Sequence, residues 1–174
     1  KCMLEKAGKK HVVISQIEHD SVYEAAKHMF APTGKANIKD DFYTQFIHTK
    51  SDGTVDVKHL EALLDEDESI GLVSVMYVNN ETGAVNPINH IGEICRERGI
   101  MFHTDCVQAA GCHTIDTNTI GCDFATISGH KIHAPKGIGA IYIKDKTLAR
   151  SLIYGGANQE FGLRGGTENV AGIV

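Results

Sequence analysis

The sequence predicts an α/β fold in three layers, with helices on both faces of a mostly parallel β-sheet. Short runs of apolar and β-branched residues alternate with stretches of about 10 residues whose apolar side chains recur at helical spacing. The run 70–78 is apolar nearly throughout, which is typical of a strand buried on both faces of a parallel sheet. With 174 residues, 42% of them hydrophobic, the chain can bury one core, and no linker or repeat divides it.

The individual elements follow from local patterns. Strands are expected at 12–17, 42–47, 70–78, 100–103, 124–127 and 138–143. Helices are expected at 22–29, 57–64 and 89–98. Asp20 or Ser21 can cap the first helix, and Asp56 can cap the second. Gly99 closes the third, because glycine readily adopts the left-handed conformation that ends helices.

Composition argues against several classes of protein. A net charge of −5 without a basic patch argues against direct nucleic-acid binding, and no stretch is long and apolar enough for a membrane span. None of the ten histidines shows the HExxH spacing, and His130 with His133 would need further ligands, so we expect no metal site. The five cysteines form no CxxC pair, and Cys106 is interpreted as a packing residue. This pattern indicates free thiols in a reducing compartment, the cytoplasm or an organellar matrix.

Polar side chains follow four of the predicted strands. His19, Asn80, Asp105 and the segment 128–131 each come immediately after a strand. Because ligands bind outside the carboxyl ends of parallel strands, we expect these residues to converge on one site. A lysine at the end of a buried strand, such as Lys131, is costly unless it is paired, exposed or chemically used. Desolvation favours the neutral amine, which can form a Schiff base with an aldehyde, although a solvated turn also explains a lysine here.

The converging residues suit pyridoxal 5′-phosphate. This cofactor needs a lysine for its aldehyde, a carboxylate for its pyridine nitrogen, a partner for its ring oxygen and donors for its phosphate. Asp105 can supply the carboxylate, and Gln108, one helical turn further on, can reach the ring oxygen together with Asn80. Simpler explanations exist for each: Asp105 can cap a helix, Asn80 can form a turn, and Gln108 can be a surface residue.

Further donors follow in the sequence. Ser128 and His130 can bind phosphate oxygens, and Thr167 adds a hydroxyl at an expected helix start, where an anion is favoured. His19 can stack on the cofactor ring or move protons, since the pKa of a free histidine lies near neutrality. The simpler explanation for His19 is that it is only a residue at the start of a helix.

Five ordered motifs resemble those of the cysteine desulfurases. They are EH at 18–19, NNETG at 79–83, HTDCVQ at 103–108, SGHK at 128–131 and RGGTEN at 164–169. The cysteine desulfurases are class V, fold-type-I enzymes that depend on pyridoxal phosphate. Their iron–sulfur, nitrogenase and tRNA branch is the one that this chain resembles. The resemblance implies that residues 1–174 are one segment of the large, cofactor-binding domain of such a transferase.

The resemblance also implies roles for the candidate residues. Lys131 would form the Schiff base and Asp105 would bind the pyridine nitrogen. The remaining cofactor contacts would come from His19 over the ring, Asn80 and Gln108 at the ring hydroxyl, and Ser128, His130 and Thr167 at phosphate. The family threonine that matches Thr167 reaches the phosphate of the neighbouring subunit, which implies a homodimer. The family reaction converts L-cysteine to L-alanine and passes the sulfur, through an enzyme persulfide, to an iron–sulfur scaffold or a tRNA-thiolation protein.

The chain also departs from the family. The family's amino-terminal part and its carboxy-terminal domain, with the persulfide cysteine and the arginine that binds the substrate, are not among these 174 residues. We therefore expect no desulfuration by the isolated segment. A selenocysteine lyase, which shares these motifs, and a truncated relative that acts as a non-catalytic binding module are the two alternatives.

Overall fold

The chain folds around one twisted sheet with helices on both faces. The computed structural model describes residues 4–5, 7–29, 31–32, 42–156 and 159–174. Within these residues the sheet has seven strands, in the order β2-β3-β1-β4-β5-β6-β7. The strands are β1 (His11–Ser15), β2 (Ala31–Pro32), β3 (Tyr43–Ile47), β4 (Ile70–Ser74), β5 (Met101–Asp105), β6 (Phe124–Ser128) and β7 (Gly139–Ile143). Neighbours pair in parallel except for β7, which is antiparallel to β6. The predicted α/β fold is confirmed.

The helices connect these strands. They are α1 (Asp20–Met29), α2 (Val57–Glu66), α3 (Ile88–Glu97), α4 (Thr117–Ile120) and α5 (Val170–Ile173). The predicted cap of α2 is confirmed, because Asp56 accepts the first amides of that helix. Gly99, with a φ of 65°, follows α3 as predicted. At α1 the predicted cap is wrong: Asp20 is already helical, and the imidazole of His19 accepts the amide of Ser21.

The two faces of the sheet are packed by different elements. On one face Val13, Val73 and Phe102 pack with residues of α2 and α3, such as Leu60 and Ile91. On the other face lies a smaller apolar cluster, formed by Leu4, Val12, Phe42, Leu72 and Met101. Helix α1 covers part of this second face, where the hydroxyl of Thr44 donates to a carbonyl of the helix. Helices on both faces give the three predicted layers.

Two strands end earlier than the sequence predicts. Strand β1 ends at Ser15 and β4 ends at Ser74, although Val75 and Met76 after β4 are still fully buried. The backbone amides of Val75 and Tyr77 still donate to carbonyls of β5, so the apolar run continues alongside β5 beyond the end of the regular strand. The two loops that leave here, residues 16–19 after β1 and residues 75–87 after β4, carry His19 and Asn80 to the same edge.

No helix among the described residues is long and apolar enough to cross a membrane.

Candidate functional site

A cavity of about 200 Å³ lies at the carboxyl ends of β1, β4, β5 and β6. It is lined by His19, Ser21, Met76, Asn80, Asp105, Val107, Gln108, Ser128, His130 and Lys131. Seven of the eight site residues proposed from the sequence are therefore brought together, as the strand-end argument predicts. Thr167 is the exception. It is exposed, is not among the lining residues, and lies before a helix that begins only at Val170.

Asp105 is the acidic group in the cavity lining. It is the last residue of β5 and only 5% exposed, and its Oδ1 accepts the amide of Val107 at 2.8 Å. Burial raises the pKa of this carboxyl, while the Val107 amide and the nearby His19 partly oppose the rise. Among the ion pairs of the described residues, none involves Asp105. A buried carboxylate without a cation is suited to a ligand that brings one.

The position of His19 agrees with both explanations that the sequence leaves open, a residue of the site and a residue at the start of a helix. It stands directly before α1, and its Nδ1 accepts the Ser21 amide at 3.2 Å and lies 2.9 Å from the Ser21 hydroxyl. Because Nδ1 accepts, the hydrogen of the neutral ring lies on Nε2. His19 therefore caps the amino terminus of α1 and also lines the cavity.

Asn80 is held in place by its neighbour Asn79. The Asn79 side chain accepts the amides of Glu81 and Thr82 and donates to the carbonyl of Ile17 at 2.9 Å. The first two bonds form the turn that the sequence predicts. The third ties that turn to the loop in front of His19. Asn80 itself is exposed at the rim of the cavity.

The segment after β6 forms a tight 3₁₀ turn, Gly129–Lys131. Its first residue, Gly129, leaves little room for a side chain, because an added Cβ would lie 3.0 Å from the Cβ of Ala134 and 3.1 Å from the carbonyl oxygen of Ile138. The compact turn brings the Ser128 hydroxyl within 2.7 Å of Nδ1 of His130. A hydroxyl and a protonated imidazole held side by side can both donate to an anion, since the charged ring carries a hydrogen on each nitrogen.

Lys131 lines the cavity but is exposed. The prediction that the chain desolvates this amine is wrong for the described residues. The physical reason is its place in a surface turn, where Ile132 and His133 are exposed too, followed by the exposed first residues of β7.

A polar row under Asp105 was not predicted. His103 lies two residues before Asp105 on the same face of β5, and its Nδ1 is 2.8 Å from the hydroxyl of Ser74 on β4. Its Nε2 is 3.4 Å from the hydroxyl of Thr126 on β6. Burial lowers the pKa of His103 to about 4, so the ring is neutral at pH 7. His103 and Asp105 lie two residues apart in a predicted strand and therefore share one face, which is the sequence signal that could have revealed this row.

A second cavity of about 310 Å³ adjoins the first and shares His19 and Asn80 with it. Glu18, which the sequence analysis used only as part of a motif, lines this cavity and is 8% exposed. Its Oε1 accepts the Ser15 hydroxyl at 2.5 Å and the Met76 amide at 2.7 Å. Burial raises the pKa of Glu18 to about 8, against the effect of these hydrogen bonds and with a contribution from Asp105.

The cysteines lie mainly in the core. Cys95, Cys106 and Cys122 are buried, and burial raises their pKa values to about 12, 11 and 11. At neutral pH these thiols are protonated and therefore poor nucleophiles. Cys106 packs in the main core, as predicted, and Cys112 is exposed. Cys2 lies outside the described residues.

The residues of the first cavity fit pyridoxal phosphate. A carboxylate whose pKa is raised by burial suits a protonated pyridine nitrogen. Ser128 and His130 provide paired donors for phosphate, and Lys131 provides a primary amine at the same cavity. This set of groups supplies the kinds of contact that the cofactor requires.

Comparison with known proteins supports the same family. The Aminotransferase class-V family matches residues 2–174. A cysteine desulfurase of Nostoc sp. is 43% identical over 173 residues, which are 99% of this chain and 40% of that protein. The mitochondrial cysteine desulfurase of Saccharomyces cerevisiae is 44% identical over 163 residues, which are 93% of this chain and 31% of that protein.

A solved structure gives the same result. SspA in complex with cysteine superposes with a TM-score of 0.86 at 33% identity, covering 99% of this chain and 48% of SspA. The predicted resemblance to cysteine desulfurases is thereby confirmed. The chain spans less than half the length of these relatives.

Proposed function

Because the chain belongs to the class-V aminotransferase family, we propose that it forms the pyridoxal-phosphate-binding part of a cysteine desulfurase. Such an enzyme converts L-cysteine to L-alanine and passes the sulfur to an acceptor through an enzyme persulfide. The observation that carries the proposal is the shared cavity in which a buried acid, Asp105, and a primary amine, Lys131, line the same space. The proposal therefore assigns the cofactor ring to that cavity.

The protein groups at the two ends of the ring would do different work. Bound pyridoxal phosphate supplies an electron sink for a bond at the amino acid's α-carbon. Asp105 would keep the pyridine nitrogen protonated, because an ionised carboxylate in a buried place favours a cation beside it. Lys131 would bind the aldehyde carbon covalently. Its exposure here leaves room for an amino acid to approach the same carbon.

The remaining contacts would orient the cofactor. Ser128 and His130 would donate to the phosphate, since their side chains already lie within 2.7 Å of each other. Asn80 and Gln108 would hold the ring oxygen from two different loops. We further propose that Thr167 binds the phosphate of a second copy of the chain in a homodimer, which agrees with its position outside the lining of its own cavity.

His19 would move the substrate proton. With Nδ1 accepting the Ser21 amide, the neutral ring carries its hydrogen on Nε2, so it would take up a substrate proton there in the other tautomer, whose Nδ1 hydrogen the Ser21 hydroxyl can accept. The exposed position of the ring at the cavity rim gives it access to an entering substrate.

The sulfur would be carried elsewhere. None of the four described cysteines lines the cavity, so a cysteine in another part of an enzyme of the relatives' length would hold the persulfide. An acceptor protein would then take the sulfur, in an iron–sulfur or tRNA-thiolation pathway. We propose a reducing compartment, cytoplasm or organellar matrix, because the described cysteines are free thiols and one relative is mitochondrial.

Cofactor loading tests this function. The 174-residue chain is incubated with pyridoxal phosphate, reduced with borohydride and digested, and the peptide that carries the added mass is identified. We expect the label on Lys131 and its loss in Lys131→Ala. Lys136→Ala, a change at an exposed lysine outside the cavity lining, is the matched control and should retain the label. Labelling that persists in Lys131→Ala would contradict the proposal.

A further inference from the structure

The carboxyl of Glu18 connects three parts of the molecule around the proposed cofactor site. It receives one hydrogen bond from Ser15 at the end of β1 and one from the amide of Met76 after β4. The next residue along the chain is His19. Both hydrogen bonds end on Oε1, whereas Oε2 is buried and has no hydrogen-bond partner among the described residues.

A second hydrogen bond ties the same two loops together. The Asn79 side chain donates to the carbonyl of Ile17, one residue before Glu18. The loop of residues 16–19 is therefore fixed to the loop of residues 75–87 through Glu18 and Asn79. These loops carry His19 and Asn80, the two residues shared by both cavities.

We propose that Glu18, in its uncharged acid form, is a positioning residue that holds His19 and Asn80 at the rim of the cofactor cavity. The inference rests on the proposed function for its effect on cofactor binding, while the positioning itself is a property of this chain alone. Glu18 is not among the residues that line the cavity of Asp105, so its action on the cofactor is indirect.

The surroundings of Glu18 favour the uncharged form. Either form leaves the buried Oε2 without a partner in the described part of the chain, and this costs more for the ionised carboxylate, because a buried charge is more expensive than a buried hydroxyl. Of the charged or titratable groups near it, Asp105 on β5, Asp20 on α1 and Glu81 in the loop after β4 are acids, and His19 is the base. Burial accordingly raises the pKa of Glu18 to about 8. The Ser15 and Met76 hydrogen bonds favour the ionised form, so ionisation above that pH would disturb the loop through the buried negative charge that it adds beside Asp105.

The positioning is tested first without cofactor. Carbon-13 NMR of the Glu18 carboxyl is followed from pH 5 to pH 10, together with the Met76 amide and the His19 ring signals. We expect the Met76 amide and His19 signals to shift with the same midpoint as the Glu18 carboxyl, near pH 8. In Glu18→Gln, which keeps the oxygen that accepts both hydrogen bonds, that alkaline step should vanish. Met76 and His19 signals that do not follow Glu18, or that keep the step in Glu18→Gln, would overturn the inference.

The consequence for the cofactor is tested by equilibrium binding of pyridoxal phosphate, read from its absorbance, at pH 7 and pH 9. Glu18→Ala should weaken binding at pH 7 by about tenfold, since it leaves the Ser15 hydroxyl and the Met76 amide without an acceptor. At pH 7, Glu18→Gln should bind to within about threefold of the unsubstituted chain. The unsubstituted chain should bind more weakly at pH 9 than at pH 7, and Glu18→Gln should not show this weakening. Equal binding by Glu18→Ala and the unsubstituted chain would overturn the inference.

The two hypotheses fail separately. An unsubstituted chain that binds no pyridoxal phosphate would overturn the proposed function, while the NMR titration would still decide whether Glu18 positions His19. If Glu18→Ala does not fold, the Glu18→Gln titration and its pH 9 binding decide alone.

Discussion

The two edges of the sheet hold acidic residues in contrasting ways. At the amino-terminal edge, Asp67 accepts hydrogen bonds from His11, Tyr43 and Gln45 on one oxygen and from the Ser69 amide on the other. Burial by itself would raise the pKa of Asp67, but these donors outweigh it and lower the pKa. The chain therefore stabilises the charge of this acid by itself.

At the carboxyl edge the two acids, Glu18 and Asp105, are more buried than Asp67 and accept fewer hydrogen bonds. Glu18 uses one oxygen for both of its hydrogen bonds and leaves the other without a partner among the described residues. Asp105 accepts the Val107 amide and forms none of the ion pairs of the described chain. Burial raises the pKa of both carboxyls.

The contrast distinguishes a structural acid from a functional one. A buried carboxylate with a full set of donors stabilises the fold and needs nothing further. A buried carboxylate that lacks donors costs stability, and a bound ligand can remove that cost. Both cavities lie at the edge where the buried acids have too few hydrogen-bond donors. This is a physical reason, independent of any relative, to place the ligand there.

The largest expected effect is on the pH dependence of stability, in Glu18→Gln. The folded-state pKa of Glu18 is raised from 4.5 to about 8, so its contribution to stability is fully present below pH 4.5 and is lost as the pH rises towards 8. Between pH 5 and pH 8 the unsubstituted chain should therefore lose roughly 3 kcal/mol more unfolding free energy than Glu18→Gln. Urea denaturation at each pH measures this difference. Glu66→Gln, at an exposed position on α2, should follow the unsubstituted curve.

The next largest effect is expected for Asp67→Asn at the opposite edge. An amide cannot accept all four donors, and its own NH₂ group faces some of them, so the unfolding free energy should fall by about 2 kcal/mol at pH 7. Urea denaturation is the measurement. Asp116→Asn is the control, because Asn is as good a helix cap as Asp and the unfolding free energy should stay close to that of the unsubstituted chain. A neutral Asp67→Asn would remove the contrast between the edges.

The same substitution at the carboxyl edge should act in the other direction. Asp105→Asn keeps the acceptor for the Val107 amide and removes a poorly solvated charge, so the unfolding free energy should be unchanged or rise by up to about 1 kcal/mol. Binding of pyridoxal phosphate should weaken by about tenfold or more, because the amide cannot hold a protonated pyridine. A marked loss of stability in Asp105→Asn would show that this acid is structural, like Asp67.

Much of this could be predicted from the sequence, because local patterns determine it. The alternation of strands and helices, the Asp56 cap and the Gly99 stop depend on near neighbours in the chain. The location of His19, Asn80 and Asp105 at one edge follows from the parallel direction of their strands.

What the sequence could not show depends on contacts between distant residues. Glu18 is hydrogen-bonded to the amide of Met76, which is 58 residues away, and the row of His103 with Ser74 and Thr126 depends on the register of three strands. The exposure of Lys131 reflects which elements cover a surface turn, and no local pattern encodes that. The energetic cost of ionising the buried acids at the site is therefore visible only in the folded molecule.

The smallest expected effect, in Ser15→Ala, tests whether the shortage of donors at Glu18 determines its ionisation. The Ser15 hydroxyl is fully buried and donates to the same oxygen that accepts the Met76 amide. Its removal should lower the unfolding free energy at pH 6 by about 1 kcal/mol. Because a hydrogen bond to the carboxylate favours the charged form, its loss should also move the NMR midpoint of Glu18 further upward. Ser69→Ala is the matched control at the other edge, since Ser69 reaches Asp67 through its backbone amide, which the substitution keeps. An unchanged Glu18 midpoint in Ser15→Ala would mean that donors do not determine the ionisation of this acid, and the contrast between the two edges would then rest on burial alone.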